Sequence, residues 1–152
     1  QVFFSDGYKA LRAASPVPIC TGEKIEGFRE FFPFIIEGGI DVLHPDLLWC
    51  GGISGGRKIA ELADHYGVPV ALHNCGTLVH NMANIHFGAC VRNFSMSETR
   101  LYERPYIAEM GGLYGYDMVD GKIAVPDGPG LGVELVTEVL RAELKEGEPF
   151  WQ

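Results

Sequence analysis

Four residues that could transfer protons or bind a metal ion lie at the ends of apolar runs in the chain. They follow one another at intervals of 23, 27 and 25 residues: Glu23, Asp46, His73 and Glu98. Histidine titrates near neutral pH, so His73 can take up or release a proton under ordinary conditions. At the end of a buried strand, in a core or in an active site, a histidine needs a hydrogen-bonding partner. We therefore expect a carboxylate at an equivalent position.

The segments between these residues have the pattern of helices. The clearest, 54–67, places Ile59, Leu62, Ala63 and Tyr66 on one face. The other predicted helices are 6–14, then 25–39 with an interruption at Pro33, and one opening at 77–79 with Val79, Met82, Ala83, His86 and Phe87 on one side. A short strand followed by a helix, repeated four times, is typical of parallel βα units. In such folds the carboxyl ends of the strands carry the chemistry, so the four residues are expected on one face.

The composition restricts the class of partner. The 152 residues are 47% hydrophobic and carry a formal net charge of −8, with a pI near 5.0. This acidity argues against a nucleic acid or an anionic membrane as partner. No apolar run approaches the roughly 20 residues that span a bilayer, and no basic and apolar leader opens the chain. A cytoplasmic setting is therefore expected.

The cysteines form no Cys-x-x-Cys pair and lie in or beside apolar runs: Cys20, Cys50, Cys75 and Cys90. This distribution predicts buried reduced thiols rather than a disulfide framework. Cys75 also lies near the predicted site, so a Cys–His nucleophile formed with His73 is an alternative.

Four βα units make half of an eight-stranded barrel. A half-barrel leaves two parallel edges unpaired, so residues 1–125 are expected to need oligomerisation or a complementary chain to cover them. Residues 126–152 contain the turn motif DGPG and a helix-like stretch, VELVTEVLRAEL. This second segment is predicted to be a tail that packs on another part of the protein.

Six short motifs occur in order along the chain: TGE (21–23), the HPD of DVLHPDLLWCGGI (41–53), KIAELA (58–63), VALHN (70–74), SE (97–98) and PDGPGLGVEL (126–135). Together they resemble the C-terminal half of the enolase superfamily. Within it they are most similar to the mandelate racemase/muconate lactonizing enzyme family, which includes the acid-sugar dehydratases. The resemblance implies an α/β fold, namely the last four βα units of a (β/α)8 barrel. It also implies that the tail packs on a capping domain outside the chain.

The resemblance implies a role for each strand-end residue. Glu23 matches the third of three carboxylates that bind Mg²⁺, and Asp46 and His73 match a His–Asp dyad that acts as base or acid. Glu98 matches a group that contacts the substrate carboxylate. The other two metal carboxylates belong to strands outside this chain. Lys24 departs from mandelate racemase proper, which weakens the case for mandelate as substrate.

The function implied is that of a Mg²⁺-dependent lyase acting on a sugar acid. The enzyme removes the proton next to the carboxylate and eliminates water, giving a 2-keto-3-deoxy acid. A racemase or epimerase of a 2-hydroxy acid is the alternative within the family, and its second base would lie outside the chain. A non-catalytic, truncated fragment is the alternative outside it. The 152 residues alone are expected to be inactive, and the complete enzyme is expected to be a homo-oligomer.

Each assignment also has a purely structural alternative. Glu23 and Glu98 could be solvated surface charges, Asp46 could cap a helix or turn, and His73 could be a satisfied core histidine. The glycines of CGGISGG (50–56) fit close strand–helix packing better than a phosphate cradle.

The remaining histidines are weaker candidates for the site. His80 and His86 are six residues apart and do not share a helix face as an i, i+4 pair would, so a second metal site is disfavoured. His80 is expected to face solvent or substrate, and His86 to pack. His44 lies two residues before Asp46 on the same strand face, and it either packs in the barrel interior or approaches the site.

Overall fold

Four short parallel strands form one sheet whose strand order follows the chain. The computed structural model describes residues 5–99, 109–110 and 118–150. The strands are β1 (Cys20–Thr21), β2 (Val42–Leu43), β3 (Val70–Leu72) and β4 (Phe94–Ser97). They are hydrogen-bonded in the order β1-β2-β3-β4, and every pair is parallel. Because parallel neighbours need a crossover connection, this order confirms the predicted βα units.

Helices precede, connect and follow the strands. They are α1 (Ser5–Ala14), a 3₁₀ turn (Arg29–Phe31) that runs into α2 (Phe32–Ile36), α3 (Gly52–His65), α4 (Leu78–Cys90) and α5 (Thr137–Ala142). Thus α1, α3 and α4 lie where the sequence predicts helices. Among the described residues, no helix has both the length and the apolarity needed to cross a membrane.

The core lies between the middle strands and these helices. Leu43, Val70 and Leu72 are fully buried, and they share one cluster with Ile59 of α3 and Phe87 of α4. Burying an aliphatic or phenyl side chain of this size contributes about 1.5–3 kcal/mol. β3 is buried along its whole length, because strands lie on both sides of it. This explains why its sequence is a continuous apolar run.

The predicted helix at 25–39 is only partly helical. Pro33 lies in the first turn of α2, where its missing N–H is not needed, so it begins a helix and does not interrupt one. Ile25 is buried in the core and lies outside any helix. The apolar pattern correctly predicted that this segment is buried, but the helix is shorter than the pattern predicted.

The buried face of α4 also differs from the predicted one. Met82 and Phe87 are buried as expected, but Val79 is 40% exposed, and Leu78 takes its place in the core. The buried face also carries polar side chains, including Asn81 and Asn84. An apolar stripe read from the sequence could not anticipate this, because this face of α4 packs toward a polar site.

The prediction that the cysteines are buried is correct only for Cys50. Cys20, Cys75 and Cys90 are exposed, and all four thiols are free. Cys20 lies on the edge strand β1, Cys75 lies in the loop after β3, and Cys90 ends α4. The adjacent apolar runs are therefore poor guides to burial at the ends of elements. Burial, with a smaller contribution from Asp46, raises the pKa of Cys50 to about 12.

The described part of the C-terminal segment contains a tight turn at Asp120 and Gly121 and one short helix. Asp120 and Gly121, both with positive φ, connect a bridge between Val119 and Lys122, as in the type I′ turns that favour Asp-Gly. The helix-like stretch at 133–144 forms only α5, which has no buried residue. Apolar side chains preceding α5 pack against Leu78 and Met82 of α4: Ile123, Leu131, Val133 and Leu135.

Candidate active site

A histidine–carboxylate pair joins the ends of the two middle strands. Asp46 lies three residues beyond β2, and His73 directly follows β3. The ring nitrogen Nδ1 of His73 lies 2.8 Å from the carboxylate oxygen Oδ2 of Asp46. The backbone N–H of His73 also donates to the Pro45 carbonyl at 3.1 Å. Because an ionised carboxylate only accepts, Nδ1 carries the proton and Nε2 presents its lone pair outward.

Asp46 makes a second hydrogen bond in addition to its contact with His73. Its side chain is 4% exposed, and its Oδ1 accepts a 2.7 Å hydrogen bond from the Leu48 backbone N–H. The capping role considered for Asp46 is therefore present alongside the contact with His73. A carboxylate fixed on both oxygens can orient an imidazole without moving.

The outward nitrogen of His73 faces both strand-end glutamates. Glu23 Oε2 lies 3.5 Å and Glu98 Oε2 lies 3.7 Å from His73 Nε2. Their side chains are 46% and 42% exposed, whereas that of His73 is 16% exposed. The structure thus brings the four predicted residues together around one point that is open to solvent. Their individual roles remain predictions.

His44 approaches the site, which resolves the alternative left open by the sequence. Its Nδ1 lies 2.8 Å from the Ala71 carbonyl and must donate to it, since a carbonyl only accepts. Its Nε2 is 3.8 Å from Glu98 Oε2. The ring packs edge-to-face against His73, with centroids 5.4 Å apart. The two-residue spacing from Asp46 was the signal for this position.

The expectation that His80 faces solvent is wrong, because this side chain is buried. It is 3% exposed, and its Nε2 lies 3.4 Å from Asp46 Oδ1. Within the described part of the chain, neither ring nitrogen has a hydrogen bond of good geometry. Burial lowers the pKa of His80, and the nearby charge of Asp46 partly opposes this effect. His86 packs as expected, with Nε2 3.2 Å from the Leu131 carbonyl.

Beneath His73 lies a layer of buried amides that sequence reasoning missed. Asn74 donates to Asn81 Oδ1 at 3.0 Å. Asn84 donates to the His73 carbonyl at 3.2 Å and to Ser97 Oγ at 3.3 Å. These bonds join α4 to the ends of β3 and β4. The only signal in the sequence was the number of asparagines in HNCGTLVHNMAN, since amides are costly to bury without partners.

The comparisons with known proteins identify the family. The model of the enolase C-terminal domain-like family matches residues 4–139. The chain belongs to this family. The resemblance inferred from the six motifs is thus confirmed, as is the fold: the sheet is the C-terminal half of a TIM barrel.

Curated enolase-superfamily relatives cover nearly all of the chain. It is 33% identical to the D-galactarolactone cycloisomerase of Agrobacterium fabrum, over 89% of the chain and 38% of that protein. It is 31% identical to the D-xylonate dehydratase of Haloferax volcanii, over 96% of the chain and 35% of that protein. The chain therefore spans little more than a third of the length of these relatives.

Solved structures of the superfamily agree with the fold. A mandelate racemase/muconate lactonizing enzyme from Sulfitobacter sp. is 33% identical, with a TM-score of 0.85, over 91% of the chain and 34% of that protein. A mandelate racemase/muconate lactonizing enzyme-like protein from Rubrobacter xylanophilus is 30% identical, with a TM-score of 0.88, over 97% and 38%. Both matches again cover only part of a longer barrel protein.

The donor chemistry at the strand ends suits the metal expected in this superfamily. Mg²⁺ prefers hard oxygen ligands and tolerates several bound waters. Glu23 supplies such an oxygen, half exposed and beside the outward nitrogen of His73. The buried Asp46 is already committed to His73 and Leu48. Glu23 therefore offers an oxygen of the kind that Mg²⁺ prefers, and its role as a metal ligand remains a prediction.

Proposed function

We propose that this chain supplies the proton-transferring half of an acid-sugar dehydratase active site. The observation that carries the proposal is the His73–Asp46 pair, whose outward nitrogen, Nε2 of His73, faces Glu23 and Glu98 at 3.5 and 3.7 Å. The names of several relatives support the substrate class, since they are dehydratases of D-xylonate, D-gluconate and D-galactonate.

The chemistry assigned to His73 is acid–base catalysis at Nε2. Asp46 would hold the proton on Nδ1 and orient the ring, so Nε2 is the nitrogen that would exchange a proton with the substrate. In the proposed reaction the α-carbon loses its proton, and the β-hydroxyl leaves with a proton as water. The resulting enol becomes a 2-keto-3-deoxy acid. His73 can take the first proton or give the second, because both transfers need only this one nitrogen.

The two glutamates would act on the substrate carboxylate. Glu23 would hold Mg²⁺, which supplies positive charge beside the carboxylate as the α-proton leaves. Glu98 would contact the substrate carboxylate from the end of β4. The Asn74 backbone N–H donates to Glu98 Oε2 at 3.1 Å and would orient the carboxyl group.

The tail, residues 126–152, would pack on a capping domain as well as on the barrel unit, residues 1–125. Leu131 and Val133 pack on α4, which accounts for the first half of the tail. α5 has no buried residue and would contact the domain that covers the strand ends. Such a cover would exclude water from the half-exposed glutamates.

The test is His73→Asn in a polypeptide in which the remaining barrel strands complete this chain. Turnover of sugar acids to keto acids should fall by at least about 10³-fold, since the base is removed. The thermal midpoint should change little. His65→Asn, at the exposed end of α3, is the matched control and should keep its activity. Near-normal turnover by His73→Asn would contradict the assignment.

A racemase is the second candidate, because some solved relatives are named mandelate racemase/muconate lactonizing enzyme. Exchange of the α-proton with deuterium from solvent, without loss of water, would favour it. The 152 residues alone should be inactive in either case, because the described residues include one of the three Mg²⁺ carboxylates that the resemblance implies. Keto-acid formation by the isolated chain would contradict this expectation.

A further inference from the structure

Cys75 is a thiol side chain in the site to which the proposed function gives no role. It is exposed, and its Sγ lies 3.3 Å from His73 Nε2. Donor atoms of His73, Cys75 and Glu98 all lie within 4.8 Å of one another. Nitrogen, sulfur and carboxylate oxygen together form a donor set that Mg²⁺ does not favour and Zn²⁺ does.

We propose that His73 Nε2, Cys75 Sγ and a Glu98 carboxylate oxygen form a binding site for a thiophilic divalent cation such as Zn²⁺, and that this cation blocks proton transfer. The argument for cation binding uses the geometry alone, whereas the inhibition of proton transfer depends on the proposed function of His73. The site is distinct in chemistry from the Mg²⁺ site assigned to Glu23.

Two of the three donor separations are close to those of tetrahedral zinc. Zinc bonds of about 2.05 Å to nitrogen and 2.3 Å to sulfur, meeting at a tetrahedral angle, place the two donors about 3.6 Å apart. His73 Nε2 and Cys75 Sγ are 3.3 Å apart. A nitrogen and an oxygen ligand would be about 3.4 Å apart, and His73 Nε2 and Glu98 Oε2 are separated by 3.7 Å. The third pair, Cys75 Sγ and a Glu98 carboxylate oxygen, lies within 4.8 Å. These two exposed side chains would have to approach each other by roughly 1 Å to reach a tetrahedral separation of about 3.6 Å.

Each ligand is already oriented by a neighbour. Asp46 holds the ring of His73 through Nδ1, which is the arrangement found behind metal-bound histidines. The Asn74 backbone N–H holds Glu98. The Asn74 side chain accepts from the Gly76 N–H at 3.0 Å, closing the turn that carries Cys75. Three protein ligands leave a fourth position for water.

Binding and proton transfer would exclude each other. The Cys75 thiol must lose its proton, so each bound ion releases one proton to solvent, and no electrons are exchanged. The ion takes the lone pair of His73 Nε2, which is the pair that would accept the substrate proton. A metal-bound His73 is therefore neither base nor acid.

The binding test is a titration of the reduced chain with Co²⁺ and then with Zn²⁺, under nitrogen and with a non-thiol reductant. Co²⁺ should produce a thiolate charge-transfer band, and Zn²⁺ should remove it with release of one proton per site. Cys75→Ser should abolish the band and weaken Zn²⁺ binding by at least about 10-fold. Cys90→Ser, which removes another exposed thiol, should change neither.

The absence of the Co²⁺ charge-transfer band would contradict the proposed site. Equal losses of Zn²⁺ affinity in Cys75→Ser and Cys90→Ser would contradict it as well. These results do not depend on turnover, so they are separate from failure of the proposed function. In the completed barrel, Zn²⁺ should inhibit turnover, and Cys75→Ser should raise the inhibitory concentration by at least about 10-fold relative to its own uninhibited rate. Stoichiometric Zn²⁺ binding without inhibition of turnover would contradict the proposal that the cation blocks proton transfer.

Discussion

The strand ends in the middle of the sheet differ from those at its edges. At the ends of β2 and β3, the Asp46 and His73 side chains are 4% and 16% exposed. At the ends of β1 and β4, the Glu23 and Glu98 side chains are 46% and 42% exposed. A middle strand is covered by neighbours on both sides, so its end residues are fixed by packing and hydrogen bonds. An edge strand has one neighbour, and its end residues stay half in water.

This difference assigns different tasks to the two regions. The middle holds a base whose geometry is set before any ligand arrives, which is where preorganisation matters most. The edges hold carboxylates that can still adjust to a cation, a substrate or further strands. The comparison predicts that substitutions in the middle affect either turnover or stability, whereas those at the edges affect ligand binding.

The largest effect is expected from Asp46→Asn. An amide can turn its NH₂ toward His73 Nδ1, which would move the ring proton to Nε2 and remove the free lone pair. By analogy with other His–Asp pairs, turnover by the completed barrel should fall by about 10³–10⁴-fold. Keto-acid assays and the thermal midpoint would measure this effect. Asp64→Asn, on the exposed side of α3, is the control. A loss of less than about tenfold would mean that the buried pair does not set the tautomer.

The next effect compares packing in the two regions. Leu72→Ala, in β3, removes a fully buried side chain and should lower the free energy of unfolding by about 2–5 kcal/mol. Met96→Ala, in β4, changes a side chain that is 65% exposed and should cost less than about 0.5 kcal/mol. Urea denaturation of the chain would give both values.

Completing the barrel would sharpen this comparison. If the strands added in the completed barrel cover β4, the cost of Met96→Ala should rise toward that of a buried methionine, whereas the cost of Leu72→Ala should stay the same. Equal costs for Met96→Ala in the chain and in the completed barrel would show that β4 remains an edge.

The pH dependence of stability should come from His80 in the middle region. Burial lowers its pKa in the folded chain, so the unfolded chain binds the proton more readily. Stability from this residue is complete above the unfolded pKa of about 6.5 and is lost as the pH falls toward the folded pKa. The slope is at most about 1.4 kcal/mol per pH unit.

His80→Gln should reduce the pH dependence of stability between about pH 6.5 and the folded pKa of His80. Denaturant midpoints at a series of pH values would measure this change. The charges that face His80 are Asp46 and His73, so the dependence must be compared in a variant that keeps both. An unchanged slope in His80→Gln would assign the dependence to another group, and His65→Gln serves as the exposed control.

The sequence predicted the repeated strand-helix units because apolar runs and helical spacing are local properties. It also placed Glu23, Asp46, His73 and Glu98 at strand ends, since parallel strands all end on one face. It did not predict the burial of His80, which follows from α4 lying against the ends of β2 and β3. The exposure of three cysteines was missed for a similar reason, because burial at the end of an element depends on what lies beyond it.

The smallest effect on stability is expected at the edges. Glu23→Gln keeps the shape of a half-exposed side chain and removes its charge, so the free energy of unfolding should change by less than about 0.5 kcal/mol. Glu26→Gln, also exposed, is the matched control. Binding of Mg²⁺ to the completed barrel, measured by calorimetry, should weaken in Glu23→Gln and stay unchanged in the control. A stability loss above about 1.5 kcal/mol would instead place Glu23 with the structural residues of the middle strands. Weakened Mg²⁺ binding at unchanged stability would show that the edge carboxylate is kept available for a ligand, because the fold does not depend on it.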